Sequence, residues 1–157
     1  MRALILCTGN SARSQMAEAL LTRKSSGRLH AESAGSRPAQ RVNPFAIRAL
    51  AELGIDWSGR TPRGTDGLSA TEWDIVITVC DNARESCPVL PGVPVMAHWG
   101  MPDPAEVEGS DEEKLAAFRA ARDLIAARVE RMLALDLEHL DRTALKAALD
   151  TIGRDIQ

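Results

Sequence analysis

Short apolar runs alternate along the chain with stretches in which apolar residues recur at helical spacing. Arg2 to Leu6 is such a run; it ends at Cys7 and predicts a buried strand. A tight polar loop follows, Thr8-Gly9-Asn10-Ser11-Ala12, and then Met16, Leu20 and Leu21 predict a helix ending near Ser25-Ser26-Gly27. Leu29 to Ser33 reads as a second strand, closed by Ala34-Gly35. Asn43-Pro44 is a helix start, with Asn as N-cap and Pro at the first helical position. Ala46, Ile47, Leu50 and Leu53 are expected on its apolar face, with Gly54 at its end. Asp56 to Thr71 is polar and glycine-rich and reads as loop or short helix. Asp74 to Val79 is β-branched nearly throughout and ends at Cys80; its unbroken apolar character suits a strand buried on both faces. Val93 to Ala97 is a fourth short strand. Ser110 and Glu113 form a capping box ahead of a long helix carrying Leu115, Phe118, Ile125, Val129 and Met132. A last helix follows Asp141, with Leu145, Leu149 and Ile152 on one face.

Strands alternating with helices predict an α/β fold: a single domain with a four-stranded parallel sheet flanked by helices. Sites in such folds lie beyond the carboxyl ends of the strands. Cys7, Cys80 and the stretch His98 to Asp103 all fall at those ends. At 157 residues, 45% hydrophobic and 26% charged, the chain can bury one sizeable core, which excludes disorder as its main state. A net charge of −3 gives no basic excess for nucleic acid or an anionic membrane, and two Phe and three Trp without any Tyr make no stacking platform. No apolar run approaches the ~20 residues of a membrane span. The short stretch Ala3 to Leu6 is no signal-peptide core, so a cytoplasmic location is expected. Three cysteines in a reducing compartment argue against a disulfide framework and for thiol chemistry or metal binding. No zinc spacing is present: Cys80 and Cys87 lack a CxxC pattern, and His30, His98 and His139 are scattered.

Cys7-Thr8-Gly9-Asn10-Ser11-Ala12-Arg13-Ser14 joins a strand to a helix as Cys, five residues, Arg, Ser. This is the form of an oxyanion cradle. A helix N-terminus leaves N–H groups free and its dipole favours negative charge. A loop wrapped around one point aims successive N–H groups inward, with Gly9 supplying any positive φ. Arg13 adds a planar fork matched to a tetrahedral oxyanion. The same field favours a Cys7 thiolate, and the Ser14 hydroxyl can donate to it. Cys7 then reads as a nucleophile beneath an oxyanion held by the loop from Thr8 to Arg13. A small buried cysteine before an ordinary helix is the plainer alternative. Asp103, between Pro102 and Pro104, suits either a turn or a rigidly presented acid. Cys80 and Cys87 by themselves suit two core thiols equally well.

This loop resembles the phosphate loop of the low-molecular-weight protein tyrosine phosphatase superfamily, as do Ser33-Ala34-Gly35 and Asp103-Pro104. The resemblance covers residues 1–135 as a phosphatase-like catalytic unit and leaves 136–157 as a C-terminal helical extension of the same domain. It implies that Asp103 is the general acid. The three cysteines, with His98-Trp99-Gly100-Met101-Pro102-Asp103-Pro104, resemble the thioredoxin-coupled arsenate reductase branch. That branch implies arsenate as substrate, attack by Cys7, then Cys80, then Cys87, and reduction of a Cys80–Cys87 disulfide by thioredoxin, with no bound cofactor. Were residues 80 to 87 one helix, their Cα atoms would lie ~10.5 Å apart at ~1.5 Å per residue, beyond the ~7 Å that a disulfide spans. The segment Asp81 to Ser86 is therefore expected to bend or unwind on oxidation.

The branch often carries potassium, here matching Asn10, Glu18 and the Ser33 carbonyl. Arg63 stands where a further acidic ligand is expected, so a guanidinium paired with Glu18 can replace the cation. Glu18 equally suits a solvated helix position. The alternative function is a low-molecular-weight tyrosine phosphatase. Ala105 after Asp103-Pro104 and the lack of any Tyr deprive it of an aromatic mouth, and it gains no step from Cys80 and Cys87. An oxyanion sensor would need Arg13 but neither Asp103 nor the cysteine pair. A monomer is expected.

Overall fold

The structure, a computed structural model, describes residues 1–81 and 90–157. Four strands, β1 (Arg2–Cys7), β2 (His30–Gly35), β3 (Ile75–Thr78) and β4 (Val95–His98), form one parallel sheet in the order β2-β1-β3-β4. The helices are α1 (Arg13–Ser25), α2 (Pro44–Ala51), α3 (Asp111–Leu133) and α4 (Arg142–Asp155). Every residue of β3 is buried, as its β-branched run requires. β1 alternates sides: Ala3, Ile5 and Cys7 join the larger apolar cluster with residues of all four helices, while Leu4 and Leu6 join a smaller one around Trp73 and Val76. Among the described residues no helix is long and apolar enough to cross a membrane.

Local signals place most element ends. Asn43 caps α2 by accepting from Phe45 N, Ser110 and Glu113 close their reciprocal box on α3, and Asp141 accepts from Ala144 N at the start of α4. β4 and α2 have ends that differ from the reading above. β4 lies two residues later at its start and takes in His98, because its register is set by pairing Ile75 with Val95 and Thr78 with His98. α2 stops at Ala51, so Leu53 falls in the turn and is 43% exposed rather than on an apolar helix face. The polar stretch after Asp56 is loop, except for a single 3₁₀ turn at Ala70–Glu72 that Ser69 caps.

The register brings the site together. Cys7 pairs with Gly35, Leu6 with Thr78 and Thr78 with His98, so all four strands end at one level. β1 is flanked by β2 on one side and β3 on the other, which makes its carboxyl end the point where the connections diverge to opposite sides. The loop after Cys7 opens into that crevice.

Candidate active site

The loop is a cradle because its carbonyls are pinned outward. The segment 36–43 runs behind it and donates to four of them: Ser36 N to Cys7 O (3.3 Å), Arg37 N to Thr8 O (2.8 Å), Ala39 N to Gly9 O (2.9 Å) and Asn43 N to Ser11 O (2.8 Å). In a trans peptide the C=O and the following N–H point in opposite directions, so the amides of Thr8, Gly9, Asn10 and Ala12 turn inward. The Asn10 amide donates to Cys7 Sγ at 3.2 Å. α1 starts after Ala12 with no side-chain cap, which leaves the donors of its first turn for an anion.

The positive φ falls at Asn10 (50°) and not at Gly9. Asparagine tolerates this conformation, and here its side chain is fully used. Nδ2 donates to Ser14 Oγ (2.8 Å) and Ser33 Oγ (2.9 Å), while Oδ1 accepts from Gln15 Nε2 (3.0 Å) and Arg63 N (2.8 Å). The orientation of these groups is decided from Trp57, whose indole can only donate. It donates to Gln15 Oε1 at 2.8 Å, which turns Gln15 Nε2 toward Asn10 Oδ1 and Asn10 Nδ2 toward Ser14. Ser14 Oγ lies 2.8 Å from Cys7 Sγ, and to a Cys7 thiolate, which can only accept, it donates its own proton. Three of these residues were not candidates from the sequence: Gln15, Trp57 and Gly35. A Cβ on Gly35 would collide with Thr8 O and stand 2.8 Å from Asn10 N. Only the Ser33-Ala34-Gly35 resemblance pointed near them.

Arg13 is buried, with one guanidinium nitrogen on Met101 O (3.1 Å) and Val79 O (3.5 Å) and the other 3.6 Å from Asp103 Oδ2. Asp103 caps the short turn Pro104–Glu106 by accepting from Ala105 N at 3.0 Å through Oδ1. Its second oxygen is the one beside Arg13, and Asp103 lines a cavity of about 40 Å³ with Cys7, Gly9, Ser11, Ala12, Arg13 and Ala105. A cysteine thiol, a guanidinium fork, inward amides and a carboxyl thus converge from two distant parts of the chain. The arrangement can hold a tetrahedral oxyanion over a sulfur and protonate a departing oxygen.

Cys80 is fully buried at the end of β3, and its Sγ lies 3.9 Å from Thr8 Oγ1. It also lines a cavity of about 240 Å³ with Asp81, His98, Gly100, Met101 and Pro102. Burial, helped by the Arg128 charge, pushes His98 below its usual range, so its imidazole is neutral at neutral pH. Cys87 and most of the segment expected to move on oxidation lie outside the described residues.

The arginine at Glu18 is not the one expected. Arg60 pairs with Glu18 Oε2 at 3.4 Å, whereas the Arg63 guanidinium pairs with Glu32. The main chain explains the exchange. Arg63 is drawn against the loop by Gly35 N donating to its carbonyl (2.8 Å) and by its own amide on Asn10, which turns its side chain outward. Arg60, stacked on Trp57 with its guanidinium carbon 3.9 Å from the ring centroid, reaches inward instead. Glu18 Oε1 accepts from the Ser33 hydroxyl at 2.8 Å. Burial pushes its carboxyl up, opposed by the Ser33 bond and then by Arg60.

The chain is similar to known proteins. The family model described as low molecular weight phosphotyrosine protein phosphatase matches residues 2–146. An arsenate reductase of Halalkalibacterium halodurans is 44% identical over 125 residues, 80% of this chain and 89% of that protein. The crystal structure of an arsenate reductase from Archaeoglobus fulgidus is similar with a TM-score of 0.71 at 33% identity, over 85% of this chain and 99% of that one. A thioredoxin-dependent arsenate reductase from Corynebacterium glutamicum is similar with a TM-score of 0.56 at 26% identity, over 82% of this chain and 61% of that one. With the cradle, its arginine and its acid loop in one parallel sheet, and a match spanning nearly the whole chain, the protein belongs to the low molecular weight phosphotyrosine protein phosphatase family.

Proposed function

We propose that the chain is an arsenate reductase that turns over through a three-thiol relay and is recycled by reduced thioredoxin. The Cys7 thiolate attacks arsenic, and Asp103 protonates the oxygen that leaves as water. Cys80 then attacks Cys7 Sγ. The S–As bond breaks, its electron pair stays on arsenic, and arsenite departs from a Cys7–Cys80 disulfide. Cys87 attacks Cys80, which returns Cys7 to the thiolate. The dithiol of thioredoxin then reduces the Cys80–Cys87 disulfide. Two electrons and two protons convert arsenate to arsenite and water. Ser14, Asn10 and the loop amides hold the Cys7 thiolate, while Arg13 and the amides from Thr8 to Ala12 hold the oxyanion.

The observation that carries this reading is the Cys80 thiol 3.9 Å from the hydroxyl of Thr8, the residue beside the nucleophile. Hydrolysis of a phosphoenzyme has no use for a second buried thiol there. The described wall of the small cavity also offers Ala105 and no aromatic ring to grip a phenyl phosphate. The site is built within one chain, consistent with a monomer, and its thiols need the reducing cytoplasm between turnovers.

The test couples purified protein to thioredoxin, thioredoxin reductase and NADPH, and follows NADPH loss on adding arsenate. Wild type is expected to oxidise NADPH in an arsenate-dependent way. Cys87→Ser is expected to release one arsenite per molecule and stop. Hydrolysis of an aryl phosphate that needs Cys7 and survives loss of Cys87, with no arsenate reduction, would assign the phosphatase reaction instead.

A further inference from the structure

Arg128, on α3, is 1% exposed. Its hydrogen bonds to described residues all end on main-chain carbonyls. Two belong to the segment that leads to Asp103: Nη1 to Trp99 O at 2.7 Å and Nη2 to Gly100 O at 3.3 Å. Two belong to the end of α4: Nη2 to Gly153 O in its last turn at 3.3 Å, and Nε to the O of its C-cap residue Ile156 at 2.9 Å. Since Arg13 takes the next carbonyl, Met101 O, three successive carbonyls of the acid segment are held by two buried guanidinium groups. One of those groups is the oxyanion fork itself.

Burying a guanidinium is costly, and an apolar side chain of similar volume would pack at lower cost. Here the charge is met by the carbonyl ends of a helix, where the macrodipole is negative, and by the two acid-segment carbonyls. α4 is fitted closely to the same segment. Trp99 Nε1 donates to Leu149 O at 2.9 Å, and the His98 amide donates to Asp150 Oδ1 at 3.3 Å. Gly153 lies so near that a Cβ there would stand 2.5 Å from His98 O and 2.9 Å from Trp99 Cδ1.

We propose that Arg128 is a positioning residue for the reaction, holding the 99–102 segment against α4 so that Asp103 stands over the cradle, and that α4 is thereby part of the catalytic apparatus. This rests on Asp103 acting as the general acid. Small displacements of a reacting group are expensive: about 1 Å costs on the order of a hundredfold in rate.

The experiment measures single-turnover arsenite formation by rapid quench, and inorganic phosphate affinity by titration, in folded variants. Arg128→Lys keeps the charge and loses the planar fork. It is expected to slow the single turnover about tenfold or more while phosphate affinity stays within about threefold, the pattern of an interaction made for the transition state. Gly153→Ala pushes on the same segment from α4 and serves where Arg128→Lys does not fold; the same split is expected. In an Asp103→Asn background neither change should slow the reaction further. An Arg128→Lys or Gly153→Ala loss of equal size in both backgrounds, or a wild-type rate in the single variants, would overturn the positioning role. An unchanged rate in Asp103→Asn alone would overturn the acid assignment itself, and the positioning role with it.

Discussion

Cys7 sits at the end of a chain of side-chain hydrogen bonds that starts at Trp57. Trp57 orients Gln15, Gln15 orients Asn10, Asn10 donates to Ser14, and Ser14 donates to a Cys7 thiolate. Each link is a side chain with a fixed inventory of donors and acceptors, so the direction of the chain follows from its indole end as far as Ser14. Gly35 has the opposite role: it is needed for what it lacks. Its close approach to Thr8 O and Asn10 N lets the loop curl over β2. Gly35→Ala is expected to push the loop outward, weakening inorganic phosphate binding at least tenfold and costing about 1–3 kcal/mol of stability by overpacking. Phosphate titration and urea unfolding check both. Unchanged phosphate affinity in a folded variant would show that the loop accommodates the methyl group. Gly9, the glycine that the sequence singles out, has only Ser11 Cβ near a Cβ built there, at 3.9 Å, and Asn10 takes the left-handed conformation instead. Local pattern marks glycine as the permissive residue, but the buried hydrogen bonds open to the Asn10 side chain decide where the turn falls.

At the scale of elements, the segment 60–63 packs behind the loop, with the Arg60 guanidinium on Glu18 and the Arg63 amide on Asn10. Potassium at Asn10 and Glu18 needs free oxygen donors. Asn10 Oδ1 already accepts from Gln15 and Arg63, and the two Glu18 oxygens are taken by Ser33 and Arg60. The Glu18 charge is thus met by a guanidinium. Arsenate turnover is therefore expected to be the same, within about twofold, in potassium and sodium salts at equal ionic strength. A clear rise with potassium alone would show that the Arg60 pair yields to the ion. Which arginine reaches Glu18 was not legible from spacing. Arg60 and Arg63 differ by three loop positions with no helical or strand period to assign their faces. The choice is made by the Arg63 main chain, pinned to Gly35 and Asn10, which are 28 and 53 residues away.

For the molecule as a whole, α3 ties the sheet-covering helices together, and Glu52 is its exposed fastening. Arg119 grips both Glu52 oxygens and Arg122 adds a bond at 2.8 Å, which together hold the carboxyl down to about 2. A carboxyl depressed in the folded state stabilises it above its unfolded value near 4.5, and the benefit fades as pH falls from there through about 2. Wild type is expected to exceed Glu52→Gln in urea midpoint at neutral pH, with the gap closing across that acid window. A gap that persists below it would mean that the interaction is not ionic. The gain is modest because the group is exposed to screening. Glu18 acts in the other direction: raised by burial, its ionisation opposes folding once pH passes its ordinary range.

The elements and the cradle were readable in the amino-acid sequence because their causes are local. β-branched runs such as Ile75 to Thr78, caps such as Ser110 with Glu113, and the strand–loop–helix at Cys7 each draw on neighbours a few residues away. Tertiary structure decided the strand order that seats Cys7 in the crevice. It also chose the outward-pinned carbonyls of the loop, the Trp57-to-Cys7 chain, and the Arg128 link from α4 to the acid segment. The longer of these contacts join residues 25 to 42 positions apart through single hydrogen bonds whose partners satisfy one another only once the sheet has closed. No period or propensity along the chain encodes such a match.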